Sequence, residues 1–190
     1  DTVNGSGELL ARVIVNRLWH HHFGQGLVKT PNDFGEIGSD PTHPELLDWL
    51  SSQLIENNWK LGHVHKLILK SATYRQQNSS SSKYMDIDSE NRLLWHKKPQ
   101  RLEAEIIRDR MLDAAGVLKK EIYGKSIPVG DYKKALPDLP KSWRRSVYLQ
   151  VHRSVQHPTL SLFNHPDTSA SVGARSTSTG ESSTLFSLNS

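Results

Sequence analysis

Cysteine is absent from this 190-residue chain. That removes disulfides, thiol nucleophiles, iron–sulfur ligation and a covalent Cys-x-x-Cys-His haem attachment from these residues. It leaves the compartment open. Long apolar runs are missing too, and nothing approaches the roughly 18 residues of a membrane span. The start at Asp1 shows no basic segment leading into an apolar one, and the chain stops inside the apolar-patterned "TLFSLNS". Both ends lead us to expect a piece of a longer chain. Nucleophile elbows of the Gly-x-Ser-x-Gly type do not occur, nor do the Walker and dinucleotide glycine patterns. Apolar residues make up 35% of the chain, yet five tryptophans supply large surfaces to bury. These numbers describe a globular domain with substantial polar loops.

Charge is unevenly spread. Residues 1–90 hold 8 Lys/Arg against 11 Asp/Glu, residues 91–153 hold 15 against 7, and residues 154–190 hold 1 against 2. The basic middle could attract an anionic polysaccharide, nucleic acid or an acidic partner, or simply be a solvated face. Its densest stretch, "WHKKPQRLEAE" (95–105), offers Lys97, Lys98 and Arg101 as anion contacts, with Arg144 and Arg145 further on. Trp95 is available there for stacking, but snorkelling cations around a buried tryptophan read the same way and weigh against nucleic acid.

The fold reads as mainly α, a four-helix core with ordered Gly/Pro loops and minor β-structure in the C-terminal third. The first helix spans 8–23, with Leu10, Val13, Ile14 and Leu18 on one face and Gly24 positioned as a left-handed cap. Residues 25–41 form an ordered loop with five Gly/Pro positions. "THPE" then opens the second helix as a capping box, Thr42 capping and Glu45 reaching back, with Pro44 in the first turn. Leu46, Leu47, Leu50 and Leu54 are its inner stripe. A third helix is expected over 63–75, antiparallel to the second because the connection is short. A fourth runs over 101–117 with Leu102, Ile106 and Met111 inward. "RRSVYLQVHR" (144–153) alternates like a strand. Residues 1–153 are thus expected to form the helical domain, with a flexible linker near 78–90 around "NSSSSK". Residues 154–190, with 15 Ser/Thr among 37, form a polar C-terminal segment.

The most chemical-looking stretch is "NRLWHHHFGQGLVKTPNDFG" (16–35). Successive helical residues point about 100° apart, so His20, His21 and His22 cannot share one metal ion, and no histidine stands four residues from another there. One is expected to face the core, one to pack near the helix end and one to be solvated, where the helix C-terminus favours imidazolium charge. His63 and His65 suit a strand pair but fall on a helix. His152, His157 and Asp167 could in principle supply two imidazoles and a carboxylate. Asp33, in one loop with Glu36 and Asp40, is the carboxylate to test for hydrolytic chemistry. Equally, Asn32 or Asp33 could stabilise its own turn. The polar residues Arg12, Asn16, Arg17 and Asp33 beside an apolar helix face must either pair internally or await a ligand.

Taken together, the segments "ARVIVNRLWHHHFGQGLVKTPNDFGEIGSDPTHPELLDWLSSQLIENNWKLGHVHKLILKSATYRQ", "NRLLWHKKPQRLEAEIIRDRMLDAAGVL", "RRSVYLQVHRS" and "PTLSLFNHPDTSASVGARSTST" closely resemble a planctomycete-type domain of unknown function. That domain is typically the C-terminal module of large exported proteins that also carry a cytochrome-c-like haem domain. Its Arg-x-x-x-Asn-Arg-x-Trp element falls on Arg12, Asn16, Arg17 and Trp19, and its Thr-Pro-x-Asp-Phe-Gly loop on Thr30, Pro31, Asp33, Phe34 and Gly35. Where the family continues with a Pro-Gln-Ala stretch, this chain reads "GESSTLFSLNS". The resemblance carries no established activity or catalytic residues. It implies an exported, periplasmic or cell-surface module working beside other domains of its polypeptide. Haem would sit on a neighbouring domain, and none is expected in this chain. An enzyme or a binding module for anionic polysaccharide is the competing reading.

Overall fold

The computed structural model describes residues 6–78, 82–130, 139–169 and 172–175. Its regular elements there are α1 (Ser6–Phe23), α2 (Pro44–Glu56), α3 (Leu61–Lys70), α4 (Ser82–Ile87), α5 (Ala104–Ala114) and α6 (Pro158–Leu162). Two 3₁₀ turns, Pro140–Ser142 and Ser146–Tyr148, interrupt the later part. The fold is mostly helical, as the periodicity implies, and among the described residues β-structure is reduced to two isolated parallel bridges, Lys119 with Arg144 and Ile127 with Leu149. The chain divides into two compact units, Asp1–Gln100 and Arg101–Ser190. Composition alone placed the change of character at 153/154.

The N-terminal unit is built from helical stripes. Ala11, Val15 and Trp19 of α1 meet Leu47, Leu50 and Leu54 of α2 and Val64 and Ile68 of α3, with Leu27 and Val28 of the connecting loop closing the core. Each valine, leucine or isoleucine among them contributes roughly 1.5–3 kcal/mol by leaving water. The face of α1 is rotated from its expected position: Leu10 is exposed, while Ala11, Val15 and Asn16 turn inward. Asn16 causes the rotation, because a buried amide must find partners. It does so in the loop, accepting from Val28 N at 2.9 Å and donating to Val28 O at 3.0 Å. Gly26 permits that approach, since a Cβ there would lie 2.7 Å from the Asn16 amide.

The capping box does not form. Thr42 instead closes the preceding loop, its N–H and its hydroxyl both donating to Leu27 O at 2.9 and 3.3 Å. His43 takes the cap position without capping the helix by its side chain, which pairs with the Thr42 hydroxyl at 3.0 Å instead, and Pro44 opens the helix as expected. The far end of α2 closes in a Schellman arrangement: Trp59 N bonds Leu54 O and Asn58 N bonds Ile55 O, with Asn58 left-handed at φ 55°. α3 stops at Lys70 rather than 75, because Ser71 turns extended and its hydroxyl both donates to Ile68 O and accepts from Tyr74 N. Of the expected linker, residues 79–81 lie outside the described residues, Ser82–Ile87 form α4, and Asp88 takes the Arg92 and Leu93 amides in a defined turn.

The C-terminal unit is organised by two buried arginines. Arg108 of α5, 1% exposed, donates to Ser142 O at 2.9 Å, Arg144 O at 3.0 Å and Ser146 Oγ at 3.3 Å. Arg144 donates in turn to the carbonyls of Glu121, Tyr123 and Lys125, and its guanidinium lies 3.9 Å from the Tyr148 ring centre. These bonds gather coil into a shell around Ala104, Ile127, Val129, Leu149, Val155, Leu160 and Phe163. Arg108 also explains why α5 faces the other way from expectation. Ala104, Ile107 and Arg108 point in with Met111, whereas Leu102 and Ile106 are 51% and 43% exposed. The strand expected over 144–153 is replaced by the 3₁₀ turn. Its alternation survives inverted at first, with Arg144 and Ser146 buried and Val147 and Val151 in solvent.

Candidate functional site

The four polar residues singled out near α1 do not converge on a cleft. Arg12 pairs with Asp48 of α2, Asn16 is closed on Val28, and Arg17 donates to Asn32 Oδ1 at 3.4 Å. Asp33 Oδ1 accepts Gly35 N at 3.0 Å, and its own carbonyl accepts the Thr30 hydroxyl at 2.7 Å. These groups hold the α1–loop–α2 corner in shape, and Asp33 serves its own turn.

The histidines divide similarly. His21 is exposed and His20 half-buried, while His22 faces His65 of α3, Nε2 to Nδ1 at 2.8 Å. His63 lies 3.3 Å from Gln53 Oε1. His152 lies 3.3 Å from Gln150 Oε1, and Asp167 accepts Ser169 N at 2.9 Å inside its own turn. Among the described residues no group of three or more histidines and carboxylates is placed to hold a metal ion.

The basic candidates differ in what they meet within their own units. Lys97 donates to His22 O and Lys98 to Glu90 O, so both cations serve the N-terminal unit internally. Arg144 is buried on carbonyls, which removes it from any surface. Arg101 and Arg145 are exposed, and Arg145 lies 3.9 Å from Asp109. Trp95 donates to Asp88 O and packs against Tyr84 and His96.

The concave site lies elsewhere. In the C-terminal unit a cleft of about 420 Å³ runs between α5, the 3₁₀ turn and α6. One wall carries Glu103, Glu105 and Asp109 of the α5 segment; Arg145, His152, His157 and His165 add cationic and imidazole groups. Ile106, Val147, Leu149, Val151, Val155 and Leu160 supply apolar surface. Asp109 is fixed by Ser146, whose N–H and hydroxyl both reach its Oδ1 at 2.7 Å. Glu105 is the hub. Arg175 holds it bidentately at 2.7 and 2.9 Å and reaches Glu103 at 3.4 Å, while His165 Nε2 stands 3.3 Å from its Oε1. Burial alone would raise the Glu105 carboxyl. The bonds from Arg175 and the backbone, with the charges of Arg175 and His165, outweigh it and hold it below the usual carboxylate range.

His165 owes its place to the end of α6. That helix closes in a second Schellman arrangement, His165 N bonding Leu160 O and Asn164 N bonding Ser161 O, with Asn164 at φ 57°. His165 Nδ1 is buried and takes no hydrogen bond among the described residues. Sequence reading singled out Arg145, His152 and His157 from this cleft and missed Glu105, Asp109 and His165. The available signal was an asparagine just past an apolar helix, "LFNH", which matches "IENNW" at the end of α2.

No curated protein matches the chain, and no solved structure does. A family profile covers residues 2–190, so the chain belongs to the family PSD1, described as a protein of unknown function (DUF1553).

Proposed function

We propose that the C-terminal unit is a ligand-binding module whose cleft takes a small amphipathic molecule bearing hydroxyl or amino groups. One observation carries this reading: the segment that begins at Arg144 buries that arginine and Ser146 and leaves Val147 and Val151, 74% and 73% exposed, on the cleft wall. Apolar surface left in water beside converging carboxylates and imidazoles is what a site for a partly polar ligand requires. The acidic wall disfavours a polyanion in the cleft itself. Arg145 is the one of the five basic candidates that lines it.

The wider setting rests on the resemblance: a module of an exported bacterial polypeptide, periplasmic or at the cell surface, beside a c-type cytochrome domain, in a scaffold, binding or electron-transfer-linked role. A haem stain of the native polypeptide tests that part, and a native chain without haem removes it. The cleft is tested by methyl-resolved NMR titration with glucosamine, glucose and a short heparin fragment. Saturable shifts at Ile106, Val151 and Leu160 with glucosamine are expected. Shifts with heparin alone, centred on the Leu102 methyls beside Arg101, would replace this reading with anionic-polysaccharide binding, and the absence of saturable cleft shifts overturns it.

A further inference from the structure

We propose that His22, His65 and Lys97 form an acid-operated clasp in the N-terminal unit, closed while the imidazoles are neutral and opened when both carry protons. The clasp joins three separate pieces of chain: the end of α1, α3, and the segment around Lys97.

The geometry defines the closed state. His22 and His65 meet nitrogen to nitrogen at 2.8 Å, with their rings 72° apart and their centres 5.0 Å apart. A single N–H can occupy that line, donated by one ring and accepted by the other. Above it Lys97 donates to His22 O at the end of α1 and lies over two aromatic faces, 4.6 Å from Phe23 and 4.7 Å from Tyr74. Tyr74 also meets the edges of His22 and Phe23. The carbonyl end of a helix ordinarily welcomes an imidazolium, but here an ammonium already has that place.

A first added proton leaves the N–H···N bond intact. A second puts a hydrogen on both facing nitrogens, so the bond is lost and two imidazoliums confront each other beside an ammonium. The groups acting on His22 from around it are His65 on α3, Lys97, and His21 on α1 itself, and each opposes a proton there. Burial opposes it more strongly still and is also what lowers Lys97. Opening releases Lys97 from His22 O and uncovers the Phe23 and Tyr74 faces.

The test is a histidine ring-proton NMR titration of the whole chain from pH 8 to 5, with exchange of the Lys97 amide, bonded to Gln77 O, followed in parallel. His22 is expected to titrate below 6.5, and Lys97 amide protection to fall over the same interval. Lys97→Met, which removes the neighbouring charge, is expected to move the His22 midpoint upward. His65→Gln keeps a neutral bonding partner and is expected to make Lys97 protection independent of pH. His22 titrating at or above 6.5, Lys97 protection constant across the range, or protection that still collapses in His65→Gln overturns the clasp.

Discussion

The two units solve the same problem by opposite means. Residues 6–78 bury helical stripes of leucine, valine and tryptophan. Of the two buried polar side chains, Ser51 bonds back to Leu47 O in its own helix and Asn16 is spliced into the core by two bonds to one residue. Residues 101–175 have a single helix longer than two turns among the described residues. There Arg108 and Arg144 collect six carbonyl and hydroxyl acceptors from coil that makes no sheet. Where apolar periodicity is regular, side chains hold the backbone. Where it fails, long cationic side chains satisfy the backbone directly, and the apolar residues displaced outward become the walls of a cleft.

The sharpest way to break this contrast is Arg108→Ala. It strands the carbonyl of Arg144, leaves Ser142 O with the Arg144 amide alone, and is expected to cost on the order of 3–5 kcal/mol. Denaturation followed by exchange at the Ser146 amide reads the loss, and a cost below about 1 kcal/mol would show that apolar packing holds this unit as well.

Next in size is Asn16→Leu, nearly isosteric and better suited to an apolar stripe. It leaves Val28 N–H and C=O buried without Asn16, and a loss of roughly 2–3 kcal/mol in urea denaturation is expected. A neutral or stabilising result would mean that the α1–loop junction is held by packing alone.

Acid separates the units with the smallest effect. His22 is depressed below its ordinary 6.5, chiefly by burial and then by His65 and Lys97. The unfolded chain therefore takes up that proton more readily, so this stability is complete above pH 6.5 and lost as pH falls through the lower folded value. Glu105, held below its ordinary 4.5, gives stability that is complete above 4.5 and lost only further into acid. Fluorescence and exchange melts between pH 7.5 and 4 should show the N-terminal unit weakening first. A C-terminal unit that weakens above pH 5 while the N-terminal one does not would reverse the assignment.

What was legible follows from the same contrast. α1 and α2 could be read because their apolar periods are long, and the end of α1 because Gly24 marks a left-handed cap; the fourth helix was read over 101–117, three residues too long at each end. "THPE" misled because a threonine beside a helix start has other acceptors within reach, here Leu27 O fifteen residues back. In α5 the reading failed through a sound assumption, that arginine belongs outside. Helical spacing then put Leu102 and Ile106 inward where the chain puts Ala104, Ile107 and Arg108. The cleft was invisible for a related reason: Glu105 and Arg175 are 70 positions apart, and nothing in either neighbourhood announces the other.

The amino-acid sequence by itself determined the helical class, the absence of thiol chemistry, the incompatibility of three successive helical histidines with one metal, and the family. All of these are local or compositional properties, set by residue type and spacing. Tertiary structure alone decided that Asn16, Asp33 and Arg144 are structural, that His22 finds His65, and that Glu103, Glu105, Asp109 and His165 share a cleft. Those outcomes depend on which distant carbonyl, amide or carboxylate each polar group meets. A buried polar group takes whatever partner the fold brings within hydrogen-bond reach, and periodicity along the chain carries no record of that choice.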